Sequence, residues 1–254
     1  DANTFLDDDV VTIEEILSLD GKLDEGQYAI NNALIEWVTL ANVVNAGGDI
    51  SDEAGNPTIN TDAMRSVVEQ LKSVADAGLM SPYGEDGYAM FQSGDVLFST
   101  DGTWTSTAHG SVEGLNFGVT NIYSVTPDKF TNRSSAHLFS LLNNEDRTDE
   151  KEQGIADFLS WMRENSLDWA GAGQIVASKE VFESEEYQQY PQSFFTSSDV
   201  EKEASYIFDY KYYSYVESAL GTVLSDMIYG NITIDEGLDQ AQKTVEDLIA
   251  ENAS

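Results

Sequence analysis

Phe91-Gln92-Ser93-Gly94-Asp95-Val96-Leu97-Phe98-Ser99-Thr100-Asp101-Gly102-Thr103-Trp104 is the stretch on which the reading of the fold turns. Residues 95–100 predict a strand: a short apolar run entered after a glycine and stopped by the Asp101-Gly102 turn signal. Trp104 then falls just past a strand end, where a core residue is less expected. In open α/β folds ligands bind at the carboxyl ends of strands. An indole plane beside a carboxylate suits a sugar, because the ring covers the apolar C–H face while Asp101 accepts hydroxyl hydrogen bonds.

Outward from this strand, helical signals dominate. Thr12-Ile13-Glu14-Glu15-Ile16 carries a capping box, with Thr12 as N-cap and Glu15 three residues on. Ile30, Ala33, Leu34, Trp37, Leu40, Ala41 and Val44 recur at helical spacing and predict a helix over 29–45, closed by Gly47-Gly48. Met64, Val67, Val68, Leu71 and Val74 predict one over 61–77. Another begins at Thr148, its buried face being Ile155, Phe158, Leu159 and Met162. Two more run over 212–229 and from Ile234, the last capped by Thr233 and Glu236. Further strands are expected at 116–122 and 136–141. Helices interleaved with isolated strands define an α/β class.

Composition closes off several functions. The 254 residues hold 12 Lys+Arg against 46 Asp+Glu, a net charge of −34, and no Cys. There is no disulfide framework, no thiolate chemistry and no basic patch; a body this acidic is repelled by nucleic acid and by anionic membrane. The 41% hydrophobic and 11% aromatic content is nevertheless enough for a packed core. Residues 1–4 show no leader, so a signal peptide is expected to be absent or removed. Such an acid excess serves mainly solubility.

Catalytic motifs do not assemble. His109 and His137 are the only imidazoles, and neither accompanies a G-x-S-x-G nucleophile; H-E-x-x-H, Walker and G-x-G-x-x-G patterns are absent. Close carboxylate pairs are inevitable among 46 acids and carry no information. Residues 49–56 lack the ligand spacing of a calcium loop and read as a solvated turn between two short strands. The run 145–150 reads as a loop and helix cap. No cofactor and no metal is expected.

The order of segments resembles the extracellular solute-binding proteins of ABC sugar importers, the family that includes maltose-binding protein. Phe91-x-x-Gly94-x-x-Leu97-x-x-x-Asp101-Gly102-x-Trp104 looks like its most recognisable stretch, a helix ending in F-x-x-G, a buried strand and a small-residue turn with Trp. Thr12-Ile13-Glu14-Glu15-Ile16 is similar to its T-W-x-E-L helix start, and the Trp37 helix ending in Gly47-Gly48 to its helix before an acidic hairpin. Residues 60–78 resemble N-x-x-A…G-L, 151–163 resemble A-x-x-F-L, and 230–238 resemble G-x-x-S-x-E-E-A-L. Gly173-Gln174-Ile175-Val176-Ala177 departs by lacking a Pro often found there.

The resemblance implies a periplasmic-binding-protein-like type II α/β fold, helix-rich with a small mixed sheet. The chain begins where the family's second lobe usually begins, so a fragment is expected: 1–122 and 168–254 as C-terminal lobe, and 123–167 as a strand-helix segment returning to the N-terminal lobe. Implied function is capture of a mono- or oligosaccharide outside the cell for an ABC permease, by a monomer held as a lipoprotein in the full-length protein. Trp104 and Trp37 would stack on sugar rings, although Trp37 equally fits its helix's apolar stripe. Asp101 and Glu36 would take hydroxyl hydrogen bonds, and Tyr213 and Tyr215 would add a platform. A carbohydrate-active enzyme, which would hydrolyse its sugar, and a surface adhesion or scaffold domain, whose Trp residues would all be buried, remain open alternatives.

Self-repulsion among the excess carboxylates is screened within a Debye length of about 8 Å at physiological ionic strength. The midpoint of thermal unfolding should therefore rise from low to moderate NaCl; a flat or falling midpoint would show that the charges are balanced locally.

Overall fold

A computed structural model of the chain describes residues 10–197 and 204–252. In chain order its elements are α1 (Ile13–Leu17), β1 (Tyr28–Ile30), α2 (Ile35–Asn45), α3 (Asp62–Asp76), α4 (Gly87–Ser93), β2 (Val96–Phe98), a 3-10 turn at Thr103–Thr105 and α5 (Ser106–Gly110). There follow β3 (Asn132–Arg133), α6 (Asp149–Glu164), α7 (Ser166–Gly171), α8 (Lys179–Phe182), α9 (Phe194–Ser197), β4 (Ser205–Tyr206), α10 (Tyr213–Ile228) and α11 (Ile234–Asn252).

The local signals act as chemistry requires. The Thr12 hydroxyl accepts from Glu15 N at 3.1 Å while the Glu15 carboxylate accepts from Thr12 N at 2.8 Å, so two of the helix's orphan donors are satisfied reciprocally. Thr233 and Glu236 repeat the arrangement at the start of α11. All five apolar residues of α3 at helical spacing are buried. Gly78 follows at φ +71°, the left-handed conformation that lets a helix end without a Cβ penalty.

Two compact units divide the chain. The larger comprises the residues up to Asp101, Thr120–Ser134, and those from Ala204 onward. In it β1 and β2 pair in parallel, Tyr28 opposite Val96 and Ile30 opposite Phe98, joined by a crossover through α2, α3 and α4, as parallel strands need. A core of Val38, Leu40, Met64, Leu71, Leu220, Leu224, Met227 and Leu238, all fully buried, fills the space where α2, α3, α10 and α11 pack. A second parallel pair sets Asn132 opposite Ser205 and Arg133 opposite Tyr206. The smaller unit comprises Gly102–Val119 and the run from Ser135 to the return at Ala204. Its core is Ala170, Val176 and Tyr187, with Leu167, Val181, Phe182 and Tyr190 against it.

Several expectations are corrected. Ala29 and Ile30 are strand, not helix: both amides donate to Leu79 O, and the helical run starts only after the turn at Leu34. Residues 116–122 and 136–141 form no ladder. The face of α6 is not buried; Phe158 is exposed, and Ile155, Leu159 and Met162 are half-buried, no element among the described residues enclosing them. The units cut the chain at Asp101, Val119, Ser134 and Ala204. Within the smaller unit the buried Gln192 amide donates to Ala170 O at 2.7 Å, and Thr107 Oγ1 donates to Gly171 O at 2.9 Å.

Leu220→Ala should destabilise the chain by about 2–5 kcal/mol, the range for a buried leucine that leaves a cavity. Leu142→Ala, at an exposed position, should stay within about 0.5 kcal/mol. Urea unfolding of the two variants checks both.

Candidate functional site

The larger unit gathers its polar and aromatic side chains around one cation. The carboxyl ends of β1 and β2 are tied by the buried Asn31, whose amide donates to Ser99 Oγ at 2.7 Å and whose carbonyl oxygen accepts from Thr100 N at 3.3 Å. The amide fits because residue 87 is glycine; a Cβ there would lie 2.7 Å from Asn31 Cβ. Asp101 comes directly after Thr100, just past the end of β2. From β1 the chain turns into α2 through Leu34, the sole non-glycine at positive φ among the described residues (φ 49°). Left-handed backbone costs a branched residue roughly 1–2 kcal/mol. The turn places Glu36 and Trp37 in the first turn of α2, both half-buried.

Arg133 meets them from β3. Its guanidinium carbon stands 4.2 Å from the centroid of the Trp37 ring and 5.5 Å from that of Tyr213. Nε donates to Tyr213 Oη at 2.8 Å and Nη2 to Glu217 Oε1 at 3.0 Å. The strand is anchored by the neighbouring Asn132, which accepts from Ile122 N and donates to Asn121, and by Ser134 N donating to Tyr206 O. Tyr213 and Glu217 lie one turn apart on α10, facing the same way, and the phenol donates to the carboxylate at 3.3 Å. Phe208 stacks on Tyr213 with centroids 5.2 Å apart.

This environment sets the protonation states. Glu36 is pushed above its ordinary value, chiefly by burial and further by the Glu217 carboxylate, against the pull of its backbone amide and Arg133. The Tyr213 phenol is likewise pushed up, first by burial, although Arg133 opposes it. Tyr213 is thus a neutral donor and acceptor at physiological pH.

Of the residues singled out from sequence, Trp37, Glu36 and Tyr213 are brought into this group. Tyr215 instead stacks on Tyr212, centroids 5.7 Å apart and planes 21° apart. Trp104 belongs to the smaller unit and is 46% exposed; its indole lies over Gly102, where a Cβ would clash with the ring. None of the four tryptophans is buried, which removes the observation that a scaffold domain without a cleft required. Arg133 and Glu217 were missed. The i, i+4 relation of Glu217 to Tyr213 is a usable signal, whereas Arg133 lies in a two-residue strand with no pattern. Residues 49–56 form a turn in which Asp52 accepts from Ala54 N, Asn56 N and the Asn56 amide.

Residues 1–196 match the family described as bacterial extracellular solute-binding protein, and the chain belongs to that family. Among solved structures it is similar to the maltose/maltodextrin-binding domain from Bdellovibrio bacteriovorus bound to maltotriose, at 16% identity and a TM-score of 0.78, covering 98% of this chain and 69% of that one. It is similar also to the cyclic alpha-maltosyl-1,6-maltose binding protein of Arthrobacter globiformis (17%, TM-score 0.69, 96% and 65%). A third is an ABC transporter solute-binding protein from Agrobacterium radiobacter K84 in complex with ribitol (16%, 0.68, 94% and 65%). No curated protein sequence matches. The fold is therefore the periplasmic-binding-protein-like type II fold, and the chain spans about two thirds of the length of these structures. Among the described residues no helix is long and apolar enough to cross a membrane.

Because folding raises the pKa of Glu36, chiefly by burial, the folded chain favours its protonated form. The associated stability is present below the ordinary value of 4.5 and is lost as pH rises through the raised one. Glu36→Gln should show a smaller fall in urea midpoint from pH 4.5 toward neutrality than the parent chain; equal falls would place Glu36 in water.

Proposed function

We propose that the chain captures an uncharged sugar or polyol outside the cell and delivers it to the permease of an ABC importer. The observation that carries this reading is the group of Trp37, Tyr213, Glu36 and Glu217 around Arg133 at the start of α2. It offers an aromatic face for the C–H side of a sugar, with carboxylates and a phenol to receive its hydroxyls. Membership of the solute-binding family and likeness to maltotriose- and ribitol-bound structures support the ligand class. Asp101 adds a carboxylate at a strand end, Tyr215 a lesser aromatic surface, and Trp104 a stacking ring on the smaller unit. No chemical step is assigned: the chain is a binder, a monomer that returns its ligand unchanged. In the full-length protein a lipid anchor would hold it at the cell surface, with residues 1–122 and 168–254 serving as C-terminal lobe and 123–167 as the returning segment.

Electrostatics favours neutral ligands. Glu36 and Glu217 face the site, and the cation between them is already paired. An anionic sugar would have to take Arg133 from Glu217 and leave that carboxylate partly buried without its partner, which is strongly unfavourable.

Calorimetric titration with maltotriose, ribitol and glucuronate tests the proposal. Maltotriose or ribitol should bind at least tenfold tighter than glucuronate. Trp37→Ala should weaken binding about tenfold or more, since a stacking contact is worth about 0.5–1.5 kcal/mol beyond the area it buries. Trp104→Ala should weaken it while leaving the thermal midpoint in place. Recovery of maltotriose uncleaved distinguishes a binder from a hydrolase, and heat only with glucuronate would refute the reading.

A further inference from the structure

We propose that Trp169 is a second sugar-contacting residue on the smaller unit, set beside Trp104 at a spacing that selects an oligosaccharide over a single ring or a polyol. The inference rests on the sugar-binding reading for its ligand and concerns residues of the smaller unit alone. Trp169 is 45% exposed and Trp104 46%. In α7 the unit's core takes Ala170, with Leu167 packed against it, so Trp169 stands outside the helix's inward stripe. The His137 imidazole meets its indole edge-on, with centroids 6.4 Å apart and planes 85° apart, and His137 is itself exposed. An indole suits the C–H side of a sugar, and an imidazole at its rim can donate to or accept from a hydroxyl.

The end of α7 joins the two tryptophans. It closes in a Schellman turn: Gln174 N donates to Trp169 O at 3.4 Å and Gly173 N to Ala170 O at 2.9 Å. Gly173 has φ +89°, the left-handed conformation that this motif requires. The turn is pressed onto the segment that carries Trp104. A Cβ at residue 173 would lie 2.5 Å from Thr103 O, 2.8 Å from Ser106 Oγ and 3.0 Å from Trp104 Cα, so glycine serves both the backbone conformation and the close approach. Thr107 Oγ1 donates to Gly171 O at 2.9 Å. From the interior, the buried Gln192 amide donates to Ala170 O at 2.7 Å and to Gln174 O at 3.4 Å. Trp169 precedes Gly173 by four residues, about 6 Å at the helical rise, which puts the Trp169 and Trp104 Cα atoms on the order of 10 Å apart. Backbone contacts hold that separation before any ligand arrives, which lowers the ordering cost of binding. It is wider than one pyranose ring and is spanned by two or three linked ones.

The test is 19F NMR of the whole chain labelled with 5-fluorotryptophan, its lines assigned by Trp→Phe substitutions made one at a time, with calorimetry alongside. On titration with maltotriose the Trp104 and Trp169 lines should move along one saturation curve; with ribitol the Trp169 line should stay in place. Trp169→Ala should weaken maltotriose binding about tenfold or more and ribitol binding less than about twofold, at an unchanged thermal midpoint. Trp169→Phe, which keeps an aromatic ring, should recover most of the lost affinity. A Trp169 line that stays in place while the Trp104 or Trp37 line answers maltotriose would overturn the proposal and leave the sugar-binding reading standing. Equal losses for the two ligands in Trp169→Ala, or a loss that Trp169→Phe does not reverse, would mark a structural role and overturn it too. If neither maltotriose nor ribitol gives heat or moves any line of the parent chain, the functional reading falls and this proposal with it.

Discussion

One buried amide decides whether the site exists. Asn42, in the middle of α2, donates to Val38 O and to Tyr123 O, both at 3.0 Å, and its carbonyl oxygen accepts from Val125 N at 2.8 Å. Asn45 adds a bond to Ser124 Oγ at 3.1 Å. These contacts set the register between the helix that carries Trp37 and the segment that runs on to Arg133. A buried amide with its partners in place holds a single arrangement, and one that loses a partner is costly. Apolar packing alone would let α2 slide by a fraction of a turn against its neighbours; the Asn42 fork does not.

The site's electrostatics are local exceptions in an acidic field. Most carboxylates face water, and exposed pairs such as Lys72–Asp76 and Lys243–Asp247 contribute little. Arg133 and Glu217, both largely withdrawn from solvent, are in another regime: removing the cation would leave the Glu217 carboxylate partly buried without its ion-pair partner. Arg65, by contrast, pairs with Asp235 at the exposed start of α11, where geometry rather than burial is the constraint.

What could be read from the sequence was local. Capping boxes at Thr12 and Thr233, the apolar stripe of α3 and the strand 95–100 lie within a few residues of the chemistry that fixes them, so pattern suffices. Trp37 and Glu36 were legible as candidates, and Tyr213 by its aromatic neighbourhood. The cation that organises them was not, because β3 and β4 are two residues each and their pairing joins distant parts of the chain, with no periodicity to betray it. The start of α2 was misjudged for a related reason: Ala29 and Ile30 fit a helical stripe, and only their amide bonds to Leu79 O make them strand. For α6 the error was opposite. The stripe is real, but amphipathic pattern states only which face would be buried if something covered it.

The exposed side chains of the smaller unit give the acidity a second meaning. Leu138, Phe139, Leu141 and Leu142, with Phe158 and Trp161 of α6, all stand open to solvent, an apolar surface of the kind that drives self-association. Mutual repulsion between chains carrying 34 net negative charges keeps such surfaces apart at low ionic strength. The same counterions that relieve strain within one molecule remove the barrier between two. Colloidal stability and conformational stability should therefore respond to salt in opposite directions, and the ionic strength at which they cross sets the concentration at which this chain can be handled as a single species.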